Sequence, residues 1–200
     1  MLDGRWLYVA TVPVAVWILS RRAAPGRRLV ALIALAHVAI LANVSLFPVP
    51  VDPAVVAAGR AAANASAGGG GLSLVPFTTI GPVVAGEALP YVTRIAILNV
   101  FVLTPAGVYL PLLFRSLRSR AALVPLAIAG GASVEASQLA ISTLLGYHYR
   151  TVDIDDAILN AIGIVVGWAV ALRVIRARDD RSRLDVRRPA PVDQAAATNR

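Results

Sequence analysis

Seven side chains in this sequence have types and spacing suited to chemistry: Asn99, Glu135, Gln138, Arg150, Asp153, Asp156 and Asn160. They lie inside, or at the edge of, long apolar runs, where ionisable and amide groups are rare and mark functional sites by default. Glu135 and Gln138 are three residues apart, so on a helix they share a face. Asp153 and Asp156 are also three apart, and Asn160 follows four later, which makes a single stripe if a helix begins near Asp153. Thr151 and Asp153 are both suited to cap such a start. Carboxylates paired in this way can accept from a ligand's donors, act as acid and base, or hold a divalent cation against a phosphate.

Other chemistries are poorly supplied. There is no Cys, which removes thiolate nucleophiles, zinc ribbons and iron–sulfur clusters. The two histidines, His37 and His148, are too few for a His-rich metal site. His37 reads as a packing or network residue, and His148, between Tyr147 and Tyr149, as part of an aromatic belt. No Ser–His pair and no Walker loop is present. The expectation is therefore no metal, no cofactor and no established catalytic motif, with a non-enzymatic role favoured.

The elements that must position these side chains are membrane helices. Of 200 residues, 58% are hydrophobic and 15% charged, against about 45–50% and 25% in soluble domains. Mean hydropathy is +0.71, too apolar for a soluble enzyme or a free nucleic-acid-binding domain. Five apolar runs approach the roughly 20 residues of a bilayer-spanning helix: Trp6 to Leu19, Leu29 to Phe47, Ile95 to Phe114, Ala121 to Leu145 and Ala157 to Ile175. The first is marginal in length. The predicted fold is an all-α integral membrane helical bundle of about five transmembrane helices with a re-entrant or interfacial outer segment.

The net charge of +8 comes entirely from arginine on the basic side, a composition that, with abundant Ala and Gly, points to a GC-rich genome. The segments around 20–28, 115–120 and 173–200 hold fifteen of the nineteen arginines. Placing all three in the cytoplasm satisfies the positive-inside rule at every loop. This predicts a multi-pass membrane protein with its amino terminus outside and its carboxyl terminus inside. Clustered juxtamembrane arginine is attracted to anionic membrane lipid, so the charge needs no nucleic-acid partner.

Four regions follow. Residues 1–47 hold two helices. Residues 48–94 form the outer loop, in which Pro48, Pro50 and Pro53 disfavour a continuous helix, Ala54 to Ala67 suits a short surface helix, and Gly68 to Gly71 suits a hinge. Residues 95–175 hold a three-helix core, and 176–200 read as a disordered basic cytoplasmic tail. Within the core, Pro105, Gly107, Gly163 and Gly167 read as helix-packing positions, the last two in the Gly-x-x-x-Gly spacing that permits close backbone approach. Counted at about 1.5 Å per residue, Glu135 lies roughly 15 Å below the outer end of its helix. At that depth its charge calls for protonation, for water, or for pairing with Arg150 or Arg94.

Four pieces of the chain, in order, resemble one family. They are Leu74-Val-Pro76-Phe77; Asn99-Val-Phe101-Val-Leu-Thr104-Pro105-Ala-Gly107; Ser133-Val-Glu135-Ala-Ser-Gln138; and Arg150-Thr-Val-Asp153-Ile-Asp155-Asp156 running on to Asn160 and Gly163. The succession resembles the VanZ-like membrane proteins from about Leu72 to Gly167. It departs from them at Thr104, where an apolar residue is more usual, and in its long Gly- and Ala-rich loop. The resemblance implies a bacterial plasma-membrane protein of the cell envelope, in a family named for low-level resistance to the glycopeptide teicoplanin, and it supplies no reaction. The leading expectation is a polar outer-leaflet pocket for a lipid head group, an envelope precursor or a glycopeptide. An intramembrane enzyme working through paired carboxylates on a lipid-linked or phosphate-containing substrate, and proton-coupled transport through Glu135, are the alternatives. Oligomeric state is open.

Overall fold

The computed structural model describes residues 1–65 and 71–187, with side chains through Arg181. The chain is a helical bundle. Helix α1 spans Arg5–Ser20, α2 Pro25–Leu46, α3 Pro53–Ala65, α4 Ile80–Ala85, α5 Pro90–Leu113, α6 Arg120–Leu145 and α7 Ile154–Arg187. Local chemistry sets several of these boundaries. Pro25 and Pro90 stand at the first positions of α2 and α5, where a missing N–H costs nothing. The Ser119 hydroxyl accepts from the Ala122 N–H to cap α6. Gly146 closes the same helix at φ 74°, the left-handed cap that glycine takes without strain.

Four helices are long and apolar enough to cross a bilayer: α2, α5, α6 and the Ile154–Arg181 part of α7. Helix α1, at 16 residues, falls short of the fifth span expected from sequence. Its chain direction is nonetheless that of a hairpin with α2, because Leu2 bridges Val49 just beyond the end of α2. Large apolar side chains such as Ile33, Ile97, Phe101 and Ile128 are about half exposed or more. A surface this apolar is incompatible with water and suits lipid.

The bundle has two chemically different ends. At the loop end, Tyr149 Oη donates to the Leu46 carbonyl at 3.0 Å and an Arg150 guanidinium nitrogen to the Phe47 carbonyl at 2.6 Å. At the other, Arg27 Nη2 donates to the Leu113 carbonyl at 3.1 Å and Arg118 Nε to the Pro111 carbonyl at 2.8 Å. The second end carries Arg21, Arg22, Arg27, Arg28, Arg115, Arg118 and Arg120. Helices thus alternate in direction as the apolar runs and their charged connections require.

Helix α7 packs most extensively on α5 and next on α6. A Cβ at Gly163 would collide with the Val100 carbonyl oxygen, one at Gly167 with that of Thr104, and one at Gly107 with that of Ile164. These three positions are where the two backbones meet. Pro105 instead lines a lateral crease between α2 and α5. Leu103, Ala106, Tyr109, Ala127 and Ile164 form the core beside this contact. His37 joins α2 to α5: its Nε2 lies 2.8 Å from the Val102 carbonyl and its Nδ1 3.3 Å from Tyr109 Oη. Because a carbonyl can only accept, Nε2 carries the proton and Nδ1 takes the phenol's hydrogen bond.

The loops and the tail add two features. The outer segment contains, besides α3 and α4, a two-residue strand β1 (Leu72–Ser73) paired in parallel with β2 (Val152–Asp153), Leu72 opposite Val152. The apolar segment after Gly71 is thereby tied to the start of α7. At the far end of the chain, α7 continues to Arg187, so residues 176–187 of the predicted disordered tail are helical. The rest of that tail, 188–200, and residues 68–70 of the predicted hinge lie outside the described residues.

Candidate functional site

The candidate site forms where the ends of α5, α6 and α7 converge. Glu135, 8% exposed, accepts from the backbone N–H of Asp153 through Oε2 at 3.0 Å. The Asp153 carboxylate in turn caps α7, accepting from the Asp155 N–H at 2.9 Å through Oδ1. This is the capping role its position foretold. One turn on, Asp156 accepts from the Asn99 amide across the α5–α7 contact. Asn160, 3% exposed, follows on the same stripe, above the glycines that face α5. Glu135, Asp153, Asp156 and Asn99 are therefore brought together.

Gln138 and Arg150 serve a neighbouring purpose. Gln138 Nε2 donates to the Ser45 carbonyl at 2.9 Å, and Arg150 bonds the Phe47 carbonyl. Both secure the last turn of α2 against the site. The expected pairing of Glu135 with Arg150 or Arg94 does not occur: the Asp153 backbone N–H meets the Glu135 carboxylate, Arg150 is turned to α2, and Arg94 is exposed. The physical reason is the path of the α6–α7 connection. It descends along α6 after Gly146, so Asp153 reaches a residue 18 positions earlier in the chain.

The same geometry corrects the estimate of depth. Glu135 is ten residues from the end of α6, but the Gln138–Ser45 bond places it only one helical turn from the last turn of α2. The final turns of α6 project beyond α2 and are met by α3, where Arg60 Nε donates to the Leu145 carbonyl at 2.6 Å. Glu135 thus sits near the loop end rather than deep in the bundle.

Asp155 has a role that its residue type and spacing do not announce. It is fully buried and accepts three backbone hydrogen bonds from the outer segment: Phe77 N–H at 2.6 Å, Thr79 N–H at 2.7 Å and Ile80 N–H at 3.1 Å. Phe77 itself adopts φ 69°, a left-handed conformation uncommon for a bulky residue. The donors are main-chain groups, which is why residue types alone did not reveal them. Burial without a partner marks three more polar atoms here or nearby: Gln138 Oε1, Ser142 Oγ and Asn160 Oδ1. Among the described residues, no group of three or more His, Asp or Glu side chains is placed to hold a metal ion.

Convergent membrane helices, a buried acidic and amide cluster at one end, and arginine at the other define a polytopic membrane protein built around one polar centre. A family model described as VanZ/LLP1 matches residues 32–176, and the chain belongs to that family. The match takes in α2 from Leu32 onward and the whole outer segment. No curated protein and no solved structure matches the chain.

Proposed function

We propose that this is a non-enzymatic membrane protein of the bacterial cell envelope whose polar cluster binds the head group of a lipid or lipid-linked envelope precursor. The loop end faces outward and the arginine end the cytoplasm, in keeping with the positive-inside rule. The observation that carries the reading is the 3.0 Å bond from the Asp153 N–H to Glu135, which draws α6 to the start of α7 beside the Asn99–Asp156 pair. The groups gathered there are mainly acceptors: three carboxylates, with Gln138 Oε1 and Asn160 Oδ1 buried and unpartnered. Buried acceptors without donors cost roughly 1–3 kcal/mol each, so the complementary ligand presents hydroxyl, amide or ammonium hydrogens. Family membership is the ground for connecting such binding with glycopeptide susceptibility.

Catalysis by paired carboxylates has less support, because Asp153 and Asp155 are occupied as acceptors of backbone N–H groups. The test is to express Glu135→Gln and Asp156→Asn in a glycopeptide-sensitive host, with protein levels followed by immunoblot, and to measure teicoplanin susceptibility and lipid co-purification. Both variants are expected to lose the wild-type effect at normal expression. Unchanged susceptibility and unchanged lipid content at normal expression would overturn the proposal.

A further inference from the structure

The opposite end of the bundle carries a second feature, independent of the acidic cluster. Between α2, the end of α5 and the 3-10 turn Arg115–Arg118 lies a polar cavity of about 440 Å³, with Arg27, Arg115 and Arg118 among its lining residues and no carboxylate. None of the three arginines is in an ion pair among the described residues. Two are held in place by single hydrogen bonds: Arg27 through Nη2 to Leu113 and Arg118 through Nε to Pro111. A guanidinium has five donors, so each keeps most of its N–H groups for an anion while its stem is fixed.

Directly along the α2–α5 crease is an apolar cavity of about 360 Å³, lined by residues that include Val30, Pro105 and Tyr109. Leu112 lines both cavities. Thr104 marks its far end, eight residues up α5 from Leu112 and so about 12 Å along the helix. An anion site that shares the Leu112 wall with an apolar groove, on the lateral surface of spanning helices, has the shape of a head group joined to a chain.

We propose that this crease binds one anionic phospholipid of the leaflet at the arginine end, its phosphate among Arg27, Arg115 and Arg118 and an acyl chain along the groove past Leu112. A free phosphate ion shares the head-group chemistry and has no use for the groove. The lipid assignment therefore rests on the adjacency of the two cavities at Leu112. Planar guanidinium groups suit phosphate oxygens, which they meet in pairs. Diffuse attraction of basic segments to an anionic surface would involve every arginine at this end alike; the site singles out three.

The experiment uses the full-length protein purified in mild detergent, with native mass spectrometry of bound dioleoyl phosphatidylglycerol, dioleoyl phosphatidylcholine and inorganic phosphate. Phosphatidylglycerol is expected to bind in preference to phosphatidylcholine and more tightly than inorganic phosphate. The triple variant Arg27→Gln, Arg115→Gln, Arg118→Gln should weaken phosphatidylglycerol binding about a hundredfold. The charge-matched triple Arg21→Gln, Arg22→Gln, Arg120→Gln should leave it nearly unchanged. Ile33→Trp, a change at a half-exposed residue lining the apolar groove, should weaken the lipid and leave inorganic phosphate unaffected; it keeps the proposal testable if the first triple fails to fold. Equal losses in the two triples would reduce the effect to surface charge. Equal affinity for inorganic phosphate, or no effect of Ile33→Trp, would remove the acyl-chain site.

Discussion

Asp155 and Thr79 are 76 residues apart in the chain, and the Thr79 backbone N–H donates to the Asp155 carboxylate at 2.7 Å. With the bonds from Phe77 and Ile80, this one side chain holds the turn that leads into α4. Removing it strands three donors, and loss of a charged partner costs about 1.5–3 kcal/mol for a single bond of this kind. Asp155→Ala is therefore expected to destabilise the protein by about 3 kcal/mol or more, read as a large fall in melting temperature in detergent. Phe77→Ala keeps the N–H and removes an exposed side chain, so its melting temperature should stay close to wild type. A small effect of Asp155→Ala would show that the outer segment is held by other contacts.

The α5–α7 contact makes a second prediction. Gly163 and Gly167 meet the carbonyl oxygens of Val100 and Thr104, which are backbone atoms and cannot rotate aside as a side chain would. Gly167→Leu must separate the helices, and overpacking typically costs about 1–3 kcal/mol. The same substitution at Gly26, where a Cβ would meet nothing within 4 Å, is the control. Comparison of the two by thermal melting checks the assignment of these glycines to packing.

The Asn99–Asp156 hydrogen bond joins the same two helices within the polar cluster. A double-mutant cycle with Asn99→Ala and Asp156→Ala should give a coupling of about 0.6–1.7 kcal/mol, the range found for hydrogen bonds between membrane helices. Additive single effects would mean that the pair does not hold the helices in the membrane.

Orientation is checked separately. A reporter fused after residue 116, in the turn between α5 and α6, is expected to be active only in its cytoplasmic form, and one fused at residue 87, between α4 and α5, only in its exported form. The reverse pattern would put the acidic cluster on the cytoplasmic side and withdraw the envelope ligand from it.

Much of this architecture was legible in the residues. The apolar runs separated by arginine clusters mark the helices, with α1 shorter than a span, and the three- and four-residue spacing of Asp153, Asp156 and Asn160 puts them on one stripe. Glu135 proved near that stripe for a reason its spacing does not contain. The connection after Gly146 turns down along α6, and only the folded chain shows the Asp153 N–H arriving at the carboxylate. Asp155 was opaque for a related reason. Its partners are peptide groups, identical at every residue, so no side-chain pattern in the Leu74–Ile80 segment announces them. The strands β1 and β2 were equally hidden, since two residues of pairing leave no periodicity to detect.

The pairing of β1 with β2 and the grip of Asp155 on Phe77 have a consequence for biogenesis. A chain made from its amino end delivers Phe77 to the membrane 78 residues ahead of the carboxylate that fastens it. Until α7 has been inserted, the segment from Leu72 to Ile80 has no anchor. Fastening that segment is thus among the last events of maturation, and a nascent chain halted before Asp155 would leave it unfastened.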